Sequence, residues 1–207
     1  MKIFEAIQTI KGREQEIIGV GRNDLPEFFK EMGYQVGVEI GVAKGLYGEV
    51  LAKGGLKIYG VDPYIDYEDY HGGGNQDRLD RELSEAEERL RPYDYTIIRK
   101  TSMEAAKDFD DESIDFVYID GHHALKYVIE DIHEWSKKVK TGGTISGHDF
   151  VRTNVKSGPF VCHVKSAVRA YTNEYGIENW YILGRKHFPK DPNEIRDRWR
   201  SWMWIRE

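Results

Sequence analysis

A length of 207 residues suits one domain with enough bulk for a three-layer core. The net charge of −6 argues against general nucleic-acid binding, and no apolar run approaches the ~20 residues of a membrane-spanning helix. One cysteine, Cys162, excludes an internal disulfide, and the charges of M-K-I-F-E-A-I-Q-T-I-K-G come too early for a signal h-region, so a soluble cytoplasmic protein is expected. Residues 1–23 carry mixed charge without a clean period and read as a peripheral arm ahead of a single domain over 24–207. Asp24 has the chemistry of a helix N-cap, with Pro26 in the first turn and Glu27 three residues on. Leu25, Phe28, Phe29 and Met32 supply the apolar face of that helix, and Gly33 stops it.

The stretch V-G-V-E-I-G-V-A-K-G-L-Y-G-E-V-L-A-K-G-G-L-K-I-Y-G-V-D then organises the chain. Val36, Val38, Ile40 and Val42 form a β-branched run, Gly41 and Gly45 break it, Leu46–Lys53 reads as a helix, and a second strand, Lys57–Val61, ends in Asp62. Glycines without a Cβ let backbone approach a ligand, and the helix opening near Gly45 aims its N–H groups over the turn. The pattern is E-x-G-x-x-x-G and not the G-x-G-x-x-G that a dinucleotide pyrophosphate wants. Glu39 would repel phosphate and suits a cation or an amino group. Asp62 lies about where such folds set an acid on ribose hydroxyls.

P-Y-I-D-Y-E-D-Y-H-G-G-G-N-Q-D follows, acidic, aromatic and triply glycine. It reads as a surface loop, and its 64–78 span as a candidate lid beside Asp62. Asp77–Arg91 is an exposed helix with Leu79, Leu83, Ala86 and Leu90 on one face, and Tyr95–Arg99 the third strand. Ser102 has the chemistry of a cap for a helix from Met103 to Phe109. Ile114–Asp120 is the fourth strand, with G-H-H after it, and Ala124–Val139 a helix with Leu125, Val128, Ile129, Ile132, Trp135 and Val139 aligned. Gly142-Gly143 is expected to turn the chain into a fifth strand, Thr144–Gly147, that ends in H-D-F. Val161–Tyr175 reads as a further helix, and Trp180–Leu183 and Trp202–Ile205 as closing strands; most tryptophans read as core. The alternation gives an α/β sandwich.

Polar residues gather at strand ends, where ligands of open α/β sheets bind. Asp120 with His122 and His123 ends one strand, and His148 with Asp149 ends another. Asp120, His148 and Asp149 together offer the oxygen and nitrogen ligands of a divalent metal, and His123 has the neutral-range titration of a general base.

The glycine turn with Asp62 resembles motif I of the class I S-adenosylmethionine-dependent methyltransferases. I-D-G-H-H-A-L-K-Y-V-I-E-D-I with G-G-T-I-S-G-H-D-F is similar to the macrocin-type and related sugar or small-molecule O-methyltransferases. The resemblance covers about residues 24–206. It implies a Rossmann-like three-layer fold, with a mostly parallel seven-stranded sheet and an antiparallel C-terminal strand. It also implies S-adenosylmethionine as cofactor, a small-molecule or saccharide hydroxyl as acceptor, and an Mg²⁺ or Mn²⁺ ion. Cofactor-side roles fall on Glu39, Gly41, Val42, Gly45, Asp62, Ser102, Met103 and Asp120. Metal roles fall on Asp120, His148 and Asp149, and catalytic ones on His123, Asp120 and His148. Some members carry two acids where this chain has His148-Asp149, and an imidazole favours a softer ion than Mg²⁺. A non-catalytic cofactor-binding protein on the same fold is the alternative; a nicotinamide-dependent oxidoreductase is disfavoured by the glycine spacing.

Overall fold

A parallel strand covered on both faces must be apolar at nearly every position, and this pattern marks the centre of the molecule. The computed structural model describes residues 2–66, 75–153, 161–184, 195, 197 and 199–207. At its centre β2 (Val36–Ile40) runs parallel between β3 (Lys57–Val61) and β5 (Ile114–Ile119), with Ile40 level with Val61 on one side and Ile119 on the other. β4 (Tyr95–Ile98) extends the sheet past β3, and β6 (Val139–Gly147) extends it past β5, both parallel. β8 (Ser201–Ile205) inserts antiparallel between β6 and β7 (Trp180–Leu183). Among the described residues the sheet has eight strands, one more than expected. The additional strand is β1 (Gln15–Ile17), parallel to β7 at the edge, so the order is β1-β7-β8-β6-β5-β2-β3-β4. Three residues with one buried side chain carry no readable alternation; only the open edge of β7 makes them a strand.

Alternation sorts the core into two layers. Phe116 and Tyr118 of β5 face α1 (Ile3–Thr9), α2 (Leu25–Glu31) and α3 (Leu46–Lys53), where Phe28, Phe29 and Leu51 meet them. Val117 and Ile119 face the other way, toward Val128, Ile132 and Trp135 of α6 (Leu125–Lys138) and Val164 and Val168 of α7 (Val164–Glu174). Trp135, Trp180, Trp202 and Trp204 are all buried in this second layer. A smaller cluster joins Val42 and Tyr64 to Leu83, Ala86 and Leu90 of α4 (Gln76–Leu90).

Three local expectations change. Asp24 makes no side-chain cap on α2; its carboxylate accepts the Gly21 N–H at 2.7 Å and closes the short 3-10 turn Arg22–Asp24. Gly142 and Gly143 do not separate a helix end from a strand. β6 runs through them, and its register with β5 shifts between Ile114 and Phe116, as an irregular strand needs. Tyr64 belongs to no surface loop: it is buried, and its hydroxyl donates to the Ala43 carbonyl at 2.7 Å. The rest of the expected lid, 67–74, lies outside the described residues, while 76–78 are the first turn of α4.

Gly60 has a packing reason. A Cβ there would fall 2.1 Å from the Tyr95 hydroxyl oxygen. Gly60→Ala therefore displaces Tyr95, with an expected loss of about 1–3 kcal/mol. Urea unfolding measures it, and an unchanged midpoint would show that Tyr95 moves at no cost.

Candidate functional site

In an open α/β sheet the crevice forms beyond the strand ends where chain order reverses. Here that place is between β2 and β5, since β2 connects onward to β3 on its other side. A cavity of about 430 Å³ opens there, with Gly41, Asp62, Ser102, Met103, Asp120 and Asp131 on its walls. Five of these are residues singled out in the sequence; Glu39, Val42 and Gly45 do not line it. Alternation along β2 is the reason for Glu39: Val38 and Ile40 face α6, so Glu39 faces α3 and β4. Glu39 is 1% exposed and takes a hydrogen bond from the Tyr95 hydroxyl. Burial pushes its pKa up to about 8, so it is largely uncharged at neutral pH.

The glycine turn is built for contacts within the protein. At Gly41, φ is +90°, and a Cβ would lie 2.2 Å from the carbonyl oxygen of Asp120. At Gly45, φ is +71°, and a Cβ would meet Leu90 at 2.8 Å. Both glycines thus permit close approach of neighbouring elements, β5 and α4. Asp62 ties the turn down. Its Oδ2 accepts the N–H groups of Val42 (3.1 Å) and Ala43 (3.0 Å), and its Oδ1 accepts that of Tyr64 (3.0 Å). Burial raises the pKa of Asp62 and these three amides oppose the rise. A carboxylate has about four acceptor positions, so one remains for a ligand.

The opposite wall begins after β4. Thr101, not Ser102, caps α5 (Ser102–Ala105), its side chain accepting from the Glu104 N–H. The Ser102 hydroxyl instead donates to Asp131 Oδ1 and accepts from the Trp135 indole N–H at 2.8 Å. Asp131 is 4% exposed on α6, and burial pushes its carboxyl up to about 7. It follows Val128 by three residues and precedes Trp135 by four, so an acid on an apolar stripe was its signal in the sequence. Leu125, expected on that stripe, is exposed.

Beyond Asp120 lies a charged cluster. His123 Nε2 is 3.0 Å from Asp149 Oδ2 and 3.5 Å from Asp120 Oδ1. His148 Nδ1 is 2.7 Å from Asp149 Oδ1, and its Nε2 is 3.1 Å from Asp197 Oδ1. Arg22 reaches Asp120 Oδ2 at 3.4 Å. Asp149 takes a left-handed φ of +54°, a conformation Asp tolerates better than most residues, and its carboxylate sits between the two histidines. Burial lowers the pKa of both histidines, but the carboxylates more than offset it, lifting His123 to about 10 and His148 to about 9. Burial acts to raise Asp149, and the two histidines hold it well below the usual carboxylate range. With a carboxylate at each nitrogen, His148 carries both protons.

One ligand atom each from Asp120, His123 and Asp149 lie within 4.8 Å of one another. Ligand bonds of about 2.0–2.6 Å would let these three share one divalent ion. Two carboxylates and an imidazole suit Mn²⁺ or Zn²⁺ better than Mg²⁺. His148 is not part of this group; its two nitrogens face Asp149 and Asp197. Arg22 and Asp197 gave no sign in the sequence; they reach the cluster from 98 and 49 residues away.

Residues 38–150 match a family profile described as "Methyltransferase domain". A comparison with curated proteins finds no match. Among solved structures, an O-methyltransferase from Bacillus cereus in complex with SAH superposes with a TM-score of 0.60 at 13% identity, over 89% of this chain and 80% of that one. A candidate caffeoyl-CoA O-methyltransferase from Staphylococcus aureus gives 0.59 at 15% identity, over 90% and 82%. An rRNA methylase from Streptococcus thermophilus gives 0.57 at 16% identity, over 92% and 98%. At these identities the likeness is one of fold.

Proposed function

The chain belongs to the methyltransferase-domain family and has the class I S-adenosylmethionine-dependent methyltransferase fold, and from that premise we propose that it transfers the methyl group of S-adenosylmethionine to a hydroxyl of a small molecule or sugar. One observation carries the reading: Asp120 belongs both to the cavity wall and to the Asp–His cluster, so a ligand in the cavity meets acid–base groups at one end. The small-molecule acceptor is supported by the net charge of −6. A cytoplasmic location is part of the reading, supported by the single free cysteine; no described helix is long and apolar enough to cross a membrane.

The sulfonium methyl is already activated, so the protein must align the acceptor oxygen with it and dispose of a proton. Asp62 holds ribose with its remaining acceptor position. Ser102, Met103 and Asp131 take the adenine side, where a carboxyl of pKa about 7 accepts or donates a hydrogen bond. His123 takes the acceptor proton when it is neutral, with Asp149 holding the imidazole in place. A divalent ion, where bound, would be held by Asp120, His123 and Asp149 and would acidify the acceptor hydroxyl; His123 is then a ligand and not the base.

Calorimetry tests the cofactor assignment. S-adenosylmethionine and its product should bind and NAD should not; tighter binding of NAD would sink the proposal. Asp62→Ala should weaken cofactor binding by about 1–3 kcal/mol. A thermal melt must accompany it, because Asp62 also holds the turn. Formation of S-adenosylhomocysteine with any of a panel of hydroxylated acceptors separates an enzyme from a protein that only binds the cofactor.

A further inference from the structure

Between Asp149 and Glu174 the chain carries Arg152, Lys156, Lys165 and Arg169 and no acidic residue, although its net charge is −6. Part of this run is gathered around a second cavity, of about 510 Å³, with Phe150, Arg152, Lys165, Arg169, Trp199 and Arg200 on its walls. Backbone bonds hold three segments around it. The Phe150 N–H donates to the Arg200 carbonyl at 3.0 Å, and the Lys165 N–H donates to the Val151 carbonyl at 3.2 Å. Phe150 directly follows Asp149, so this cavity adjoins the Asp–His cluster along the chain.

The four cations are unequally matched. Glu14 clasps Arg169 through two hydrogen bonds, and Glu16 accepts from Arg200 Nη1 at 2.7 Å. Arg152 and Lys165 meet no carboxylate among the described residues. The half-buried Lys165 ammonium lies over the Phe150 ring, 5.3 Å from its centroid. Arg152 is exposed and Lys165 half-buried on the walls of this one cavity, so a dianion there can take charge-assisted hydrogen bonds from both. Its size and concavity fit a small ligand better than a polymer backbone.

We propose that this cavity is an anion subsite that takes a phosphate group carried by the methyl acceptor. The link to the acceptor rests on the methyl-transfer reading above; the anion site itself does not. Arg152 and Lys165 would supply the charge-assisted hydrogen bonds, and the half-buried Trp199 an apolar wall for the rest of the ligand.

Calorimetry on the full chain with inorganic phosphate, pyrophosphate and ribose 5-phosphate tests this. Saturable binding is expected, weaker at high salt and reduced at least about tenfold in an Arg152→Gln/Lys165→Gln variant. S-adenosylmethionine affinity should be unchanged in that variant, so failure of this proposal and failure of the methyltransferase reading are told apart by which ligand is lost. Lys165→Arg, which keeps the charge, should retain binding; loss in that variant as well would mean packing rather than charge and would overturn the site. Ribose 5-phosphate binding more tightly than inorganic phosphate supports an esterified acceptor group; the reverse order overturns the link to the acceptor. No saturable binding of any of the three, or binding of a single-stranded RNA oligomer alone, overturns the proposal.

Discussion

His123→Ala should lower methyl transfer by about 10²–10⁴-fold while leaving S-adenosylmethionine affinity nearly unchanged. The side chain is not on the wall of the cavity proposed for the cofactor; it touches Asp120 and Asp149, where the proposal places the acceptor. The pH profile says which of its two roles applies. Burial lowers the imidazole's pKa, yet the two carboxylates bring it to about 10, so at pH 7 it carries a proton and cannot accept another. Turnover without metal that depends on the neutral ring should therefore rise with pH toward 10. If EDTA abolishes wild-type turnover, and Mn²⁺ restores it with a flatter profile, His123 acts as a ligand. Full activity of the Ala variant with EDTA present would remove His123 from both roles.

The second large effect is on stability. His148→Ala should cost about 3–5 kcal/mol, because it leaves the buried carboxylates of Asp149 and Asp197 facing each other's charge without the cation between them. The sign of its pH dependence follows from the raised value. His148 sits near 9 in the folded state against about 6.5 unfolded, so its contribution is complete below pH ~6.5 and is lost as pH rises through 9. Asp149 is depressed, so its contribution holds above pH ~4 and is lost as pH falls below that. Urea unfolding at pH 6 and pH 9.5 should show the gap between wild type and variant shrinking at the higher pH. A gap below about 1 kcal/mol at pH 6 would mean that water replaces the imidazole.

Elements with strong local periods were legible: Lys57–Val61, Leu46–Lys53 and the amphipathic α4 all fall where their residues indicated. So did Asp62, Ser102, Met103 and Asp120 as residues of one crevice, because parallel strands deliver their ends to the same edge of a sheet. A strand run, an N-cap and a glycine turn are decided by interactions within a few residues, and composition records them. Direction and partnership are not decided there. Glu39 turns to Tyr95 because β2 is pinned face by face between β3 and β5. Gly41 makes room for the Asp120 carbonyl just past the end of β5. His148 faces Asp197, and Asp120 is held by Arg22, both from remote segments of the chain. Such contacts depend on which elements the packing brings together, and the charge state of a buried histidine depends on them in turn. The residue types of the site were thus written in the sequence, while their pairing, protonation and orientation came only with the folded sheet.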